Sequence, residues 1–534
     1  MTSRLKNGNI PASEDQLLRS DLADAATTGK GADLVGYMPP STGVPSTTKA
    51  FLDSLWSTSA SAGAGLIRYV RPSDSVITTV KEFLDSLYAS SGSGMVRWAA
   101  SGTGAFVRTL EEKLREIQVS PMDFGAIGDG NSHPLSQRYA SLAAAKAVYP
   151  HASALTDEID WAAIQAAINN SARVYFPAAI YVVNRTINAT LARSILYGEG
   201  QGSIILTTAA TGDIIALGTG SNELTGFQMR DISIDSTVSR TSGWAINARF
   251  VTRGRFERVF ITPPERATNP IRISHGIYFD RYDYNTVYAC HIGARLYAVQ
   301  ARSGAGLFFE GGSKITNTDF QTGFGVALRG DNGGVVFNSV DVIDCGTGIY
   351  LSVDLATGIN RETLLGKFCT VDGSYNSNLY CETNSYGHLG CVGTWFASAG
   401  DNANQDAVGI NIAGAQLVQS NLDVKSCYFF NNKGGGISMS GGTASIVGNT
   451  FRQNGTGLGF GRHAIALQNA QVSDVLITDN HITATGNAGV GSGILINIGV
   501  NNYIVTNNLV RASQAANITD NGGPNKLVNN NLTT

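Results

Sequence analysis

The chain has 534 residues, more than one ordinary globular core accommodates, so it requires several domains or a repeat architecture. Glycine is abundant at 62 residues and proline scarce at 13, which argues against a disordered or collagen-like chain. Charged residues make up only 15% and the formal net charge is −3, neither of which suits a nucleic-acid binder with a basic face.

The first 118 residues form a region of their own with an internal repeat. Leu34-Val-Gly-Tyr37, Leu66-Ile-Arg-Tyr69 and Met95-Val-Arg-Trp98 correspond to one another. Each precedes a turn and a helical run, beginning at Thr48, Thr79 and Thr109. Phe51, Leu52 and Leu55, and likewise Phe83, Leu84 and Leu87, fall on one face of a helix. A unit of one short strand and one short helix cannot bury its apolar face alone. The region therefore reads either as a folded adaptor or as a trimerising neck that docks onto a larger particle.

Residues 119–202 open the main domain. A Gly-rich turn, Asp123-Phe-Gly-Ala-Ile-Gly-Asp-Gly130, leads to a helical segment. Thr156 is the expected N-cap, with Asp157, Glu158 and Asp160 placing negative charge where the helix dipole favours it. Trp161, Ile164, Ala167 and Ile168 make an apolar stripe. Such a helix would cover the open end of a sheet stack, so these acids are expected to be structural. A strand, Val174-Tyr-Phe-Pro-Ala-Ala-Ile-Tyr-Val-Val183, and a second Gly-rich turn follow.

From residue 203 onward the chain consists of short β-runs with almost no helix. Gly-Ile-x-apolar or a close variant recurs at Gly276, Gly325, Gly348, Gly409, Gly436 and Gly493. Asn449, Asn480, Asn508 and Asn530 recur at similar places and are expected to form a ladder, each amide bonding the next at the inter-strand repeat. The six cysteines fit neither a disulfide framework nor a Cys-x-x-Cys metal pattern, so they read as small buried thiols. No apolar stretch is long enough to span a membrane. The fold expected is mainly β: a right-handed parallel β-helix (solenoid) over 203–534, with a small α/β N-terminal repeat region.

Residues 119–130, 133–139, 147–150, 155–168 and 174–181, taken in that order, resemble the opening of bacteriophage tailspike proteins, which carry a pectate-lyase-like β-helix. The unit at 95–117 is similar to the neck that leads into that domain. The resemblance is specific over about 95–202 and architectural beyond. It implies a homotrimeric virion spike on the phage tail that binds, and usually cleaves, a bacterial surface polysaccharide (capsule or O-antigen) outside the host cell. Its N-terminal region would attach to a tail or baseplate protein, with no cofactor, nucleic acid or membrane insertion. Met1 to Ile10 lacks the apolar core of a secretory signal, consistent with release by lysis. After Leu532 only two residues follow, so trimer contacts are expected from the solenoid flanks and the neck.

Glycosidic cleavage generally needs two carboxylates, one protonated and one ionised. Strand alternation would turn Tyr278 and Asp280 outward, with Asp283 in the following turn. If Gly306-Leu-Phe-Phe-Glu310 is the next equivalent strand, Glu310 stacks near Asp280 and Phe308 near Tyr278, with Arg329 one rung beyond. Arg295-Leu-Tyr-Ala-Val299 is the alternative, which would move Glu310 to another face. Asp341 and Asp344 form a second candidate pair. The expected catalytic set is therefore Asp280, Asp283, Glu310, Asp341 and Asp344, and the expected sugar-binding set Tyr278, Phe308, Arg329, Tyr350 and Trp395.

The stretch from Ala356 to Trp395 reads as a long loop holding Tyr375, Tyr380, Tyr386, Trp395, Asp372 and Glu382. Exposed aromatic rings there would suit the apolar faces of sugars; packing on its own rung or on a neighbouring subunit is the alternative. Asn317-Thr-Asp319 matches the first short motif of polygalacturonases, but the motifs expected after it are missing. No metal cluster stands out, although oxygen-ligand sites for Ca²⁺ leave little trace in sequence. The alternatives to a depolymerase are a non-catalytic tail adhesin on the same scaffold and a free pectate-lyase-like enzyme.

Overall fold

A computed structural model describes residues 118–534, apart from short segments at 219–220, 263–271, 318, 320, 354–358, 401–403, 415, 417–419, 458–461, 484–490, 512–516 and 534. Before residue 118 it describes Thr103 and the backbone of three strand pairs. The chain divides into Met1–Ile117 and Gln118–Thr534.

In the N-terminal unit, Gly36–Tyr37 pairs with Ser46–Thr47, Arg68–Val70 with Ile77–Thr79, and Arg97–Trp98 with Arg108–Thr109, all antiparallel. Each repeat thus contributes two strands, where the sequence suggested one. A turn followed by Thr-rich residues serves the second strand as readily as the start of a helix. The expected helical runs lie outside the described residues.

The C-terminal unit is a parallel β-helix. Each rung lays one strand on each of three faces, which we name A, B and C in chain order. Face A is a 13-stranded sheet running from Ile187–Ala189 to Ile518–Asp520. Faces B and C, joined by tight corners, make up the 28-stranded sheet. Every rung-to-rung pairing is parallel, so inward residues stack in columns. On face A one column runs Ile246, Ile277, Val299, Val326, Ile349, Leu379, Ile410, Ile437, Ile465, Ile494 and Ile518. Nearly all of these are fully buried, as strands covered on one face by a shared core require. On face C the rings of Phe396, Phe429 and Phe451 stack at 5.1 and 4.6 Å.

The recurrent glycines stand where face A begins. A side-chain carbon at Gly276 would lie 2.2 Å from the Ala298 carbonyl oxygen, and one at Gly348 2.4 Å from that of Asn378. The next rung's backbone passes too close for any Cβ, so the repeat marks a corner and not a flexible hinge.

Helix α1 (Leu142–Val148) and helix α2 (Ile159–Asn170) precede the first rungs. Trp161, Ile164, Ala167 and Ile168 belong to the same hydrophobic core as the rungs, so α2 closes this end of the stack. The N-cap is Glu158 with no side-chain cap bond, not Thr156. The acids have structural partners instead. Asp160 accepts hydrogen bonds from the backbone N–H groups of Ile127 (2.6 Å), Gly128 and Val182 (2.9 Å). Glu158 accepts from Ser132 Oγ and the His133 N–H, while Asp157 binds the Ser153 and Ala154 N–H groups and pairs with Arg185.

The asparagine ladder runs through Asn449, Asn480, Asn508 and Asn531, with amide-to-amide bonds of 2.9 to 3.0 Å. Asn530, the residue expected from the sequence, instead occupies the left-handed turn position beside it, at φ 51°. A second ladder joins Asn378, Asn432 and Asn454. All six cysteines are free and buried, and burial pushes the Cys290 thiol up to about 12. The described part of the stretch expected as a loop, from Asn360 to Trp395, is instead more than one rung, holding strands Asn360–Leu365, Thr370–Asp372, Leu379–Cys381 and Tyr386–Val392. Tyr386 is fully buried there. No described helix is long and apolar enough to cross a membrane.

Candidate functional site

The residues expected to act together are spread over all three faces. Tyr278 pairs with Asn247 and Gln300, so the strand following His275–Asp280 on face A is Tyr297–Ala301. Glu310 instead lies at the end of the face B strand Gly304–Glu310 and pairs with Tyr288. The stacking of Glu310 on Asp280, and of Phe308 on Tyr278, is therefore not formed, and the alternative register is the one observed. The corner between faces A and B consumes only Arg281, in the left-handed conformation, so the strand after Asp280 turns away at once.

Face B carries Asp283, Phe308 and Glu310. Asp283 pairs with Thr252 and Ala305. Phe308 stacks loosely on the exposed Tyr284, with centroids 6.4 Å apart. Face C carries Asp341, Asp344 and Trp395. Asp341 lies between Lys314 and Thr370, and Trp395 follows Thr370 in the same column. Trp395 is 46% exposed and meets Tyr428 edge-on at 5.1 Å. Asp344 sits at a left-handed turn, its N–H bonded to the Asp372 carbonyl.

Face A gathers the rest and adds residues that the sequence reading did not assign to a site. Ile277 and Phe279 join the core, while Tyr278 and Asp280 point away from it; Tyr278 is nonetheless only 6% exposed, with Trp244 and Arg249 against its ring. The Tyr278 ring stacks on Trp244 at 5.0 Å. The ring of His275 stacks on Tyr297 at 5.5 Å, and Tyr297 on Phe324 at 5.2 Å. Phe324 meets Tyr350 at 4.5 Å, and Tyr350 stacks on Tyr380 at 6.0 Å. The result is a nearly unbroken ribbon of rings along the helix axis. The signal in the sequence was an aromatic ring at the start of four successive face A runs, Trp244, His275, Tyr297 and Phe324, but it becomes visible only once the register is known.

Charged groups flank the ribbon. The register sets Arg249 beside Asp280, and Arg249 also lies over the Tyr278 ring, 5.6 Å from its centroid. Arg302 follows Ala301, the partner of Phe279 and Leu328, and therefore falls between Asp280 and Arg329. Ser303 Oγ donates to Asp280 at 3.3 Å. Arg329 pairs with Ser352. Glu382, two residues beyond Tyr380, accepts a short hydrogen bond from the Tyr350 hydroxyl. Burial, and then this bond, raises the Tyr350 pKa well above its ordinary value. Burial likewise raises the Tyr278 pKa, with Asp280 adding to the rise and Arg249 and Arg302 opposing it. Burial lowers the pKa of His275, helped by Arg295 and Arg240, so this ring is neutral at pH 7.

At the α2 end the outward column of Tyr278 continues through Asn247 and Ala216 to Asn188. There a cleft of about 440 Å³ opens, lined by His151, Trp161, Arg185, Asn188 and Asp213 among others. Asp213 accepts from Asn247 Nδ2 at 2.6 Å and from the Trp244 N–H at 2.9 Å. Among the described residues, no three His, Cys, Asp or Glu side chains gather as metal ligands would.

No protein-family model matches the chain, and no curated protein matches it. Solved structures do. The tailspike protein gp49 of Pseudomonas phage LKA1 matches at TM-score 0.50 and 16% identity, over 76% of this chain and 81% of that one. Tailspike protein 3 of bacteriophage CBA120 matches at TM-score 0.56 and 14% identity, over 85% of this chain and 69% of that one. The A-module of the mannuronan C-5 epimerase AlgE4 from Azotobacter vinelandii matches at TM-score 0.51 and 16% identity, over 77% of this chain and all of that one. At these identities the likeness establishes the fold: the chain has the parallel β-helix architecture that phage tailspikes and this epimerase module share.

Proposed function

We propose that the chain is a bacteriophage tailspike that binds a bacterial surface polysaccharide along face A and cleaves its glycosidic bonds. The observation that carries this reading is the ribbon from Trp244 to Tyr380. Aromatic rings offer apolar platforms to sugar faces, and rungs repeat every ~4.8 Å, so the ribbon presents platforms along an extended polymer. On this reading the protein sits in the phage tail, attaches through its N-terminal unit to a tail or baseplate protein, and associates as a parallel homotrimer. A monomer in light scattering would contradict the last point.

Within this reading Asp280 is the first catalytic carboxylate, because it stands beside the ribbon and receives the Ser303 hydroxyl. Asp283 is the second. Three residues further along, past the corner, its Cα is at most ~11 Å away, compatible with the ~6.5–9.5 Å carboxyl separation of an inverting hydrolase. Glu382 is a poorer partner, since four rungs separate it from Asp280, roughly 19 Å. The test is release of reducing ends from host capsule or O-antigen by the full-length protein. Asp280→Asn and Asp283→Asn should each lower the rate by about 10²-fold or more, while Glu310→Gln, Asp341→Asn and Asp344→Asn should leave most of it.

One observation favours a second reading, a non-catalytic adhesin on the same scaffold. Asp280 has Arg249 as its register partner in the preceding rung and Arg302 falls beside it in the next, so the column reads equally as a surface for holding a charged polymer. Tight polymer binding with no reducing ends released would establish that reading instead.

A further inference from the structure

The flank of the ribbon carries a pattern that the polysaccharide reading does not by itself require. Arg249, Arg302 and Arg329 occupy one outward column of face A, with Asp280 between the first two. Two of the three are exposed, Arg249 and Arg329, and neither makes an ion pair among the described residues. The chain as a whole is slightly acidic, at net charge −3, so a cationic column is a local feature and not a reflection of composition. The same side chains touch the ribbon: Arg249 lies over the Tyr278 ring, and Arg302 and Arg329 act electrostatically on Tyr278 and Tyr350.

We infer that face A selects an anionic polysaccharide, one bearing carboxylates such as uronic-acid residues, and that Arg249, Arg302 and Arg329 are its specificity-determining residues. This rests on the polysaccharide reading above and narrows it. A guanidinium presents a planar fork of donors that matches a carboxylate in two parallel hydrogen bonds. The column advances by about 4.8 Å per rung, close to the length of one sugar residue in an extended chain. A polymer whose rings lie on the ribbon therefore brings its ring substituents past the column in step. Arg302 and Arg329 stand on successive rungs, and Arg249 two rungs from Arg302 on the other side of Asp280. The two-rung step from Arg249 to Arg302 suits a polymer with a charge on every second residue, and Arg329 extends the cationic run. Asp280 is then the single anion inside the cationic run, where it repels a carboxylate at its own level. A neutral residue of the polymer is thereby favoured at that level.

The test uses the full-length protein against a panel of purified bacterial polysaccharides, each acidic polymer paired with its own carboxyl-reduced form, at low and high salt. The inference predicts that an acidic polymer binds, that carboxyl reduction lowers its affinity by about ten-fold or more, and that salt weakens the binding. The double variant Arg249→Gln/Arg329→Gln should lose a similar factor on the acidic polymer and little on its reduced form. The matching lysine variant should retain part of the affinity, because it keeps charge but not the fork. Equal binding of a polymer and its reduced form, unaffected by the glutamine variant, overturns the anionic inference and leaves the polysaccharide reading standing. Binding to no polymer in the panel overturns both.

Discussion

The Tyr350 hydroxyl donates to the Glu382 carboxylate one rung further along face A, while the Tyr350 ring lies between those of Phe324 and Tyr380. One side chain thus joins the aromatic ribbon to the acid at its far end, and the strand register places both partners.

Tyr350→Phe and Tyr350→Ala separate these two roles. The phenylalanine variant keeps the platform and frees Glu382, so polymer affinity should fall by less than about ten-fold, the worth of one hydrogen bond. The alanine variant removes the platform as well and should fall by about ten-fold or more. Calorimetric titration with the polymer distinguishes the two.

Asp160 holds the Gly-rich turn before α2 against the first strands. It is 2% exposed and accepts from three backbone N–H groups of two segments. Asp160→Ala leaves those donors buried and unpaired and should cost about 3–5 kcal/mol in denaturant unfolding. Asp160→Asn keeps one acceptor oxygen and should cost less.

The asparagine ladder makes stability local. Asn480 accepts from Asn449, donates to Asn508 and also binds the Ile446 carbonyl. Asn480→Ala should cost about 2–4 kcal/mol by leaving buried polar groups unpaired. In a solenoid each rung contacts only its neighbours, so faster hydrogen exchange should concentrate in the rungs on either side. A uniform increase along the whole stack would contradict this.

His291 introduces an acid sensitivity on face C. Burial, reinforced by Lys314, lowers its pKa to about 4 from 6.5. A depressed folded value means that protonation favours the unfolded chain. The contribution of His291 to stability is therefore complete above pH 6.5 and is lost as pH falls toward 4. In His291→Gln the urea midpoint should decline less steeply across that window than in the unaltered protein.

The repeat architecture was legible in the sequence for a physical reason. The inward column of face A and the glycine before it are both required at every rung, so Gly-Ile-x-apolar recurs as at Gly276, Gly348 and Gly436. The ladder was legible to within one residue, since Asn530 and Asn531 are adjacent and only the pairing of Leu509 with Leu532 decides between them. The site was less legible. Outward residues are not constrained by a common core, and corner lengths vary between rungs. Tyr278 meets Gln300 on the next rung, whereas Tyr350 meets Tyr380. Reading Gly304–Glu310 as the successor of His275–Asp280 skipped a strand, which turned a face B acid into an apparent neighbour of Asp280. Tyr380 and Glu382 read from sequence as parts of a loop, because the run between Ala356 and Trp395 lacks the glycine signature.

The central claim is that face A holds the carbohydrate. A crystal structure of the full-length protein with a bound oligosaccharide of its host polymer tests this most directly. Sugar rings lying against Trp244, Phe324, Tyr350 and Tyr380, with ring substituents toward Arg249, Arg302 and Arg329, are the predicted result. Oligosaccharide ordered on face B or face C, with the ribbon left bare, would contradict it.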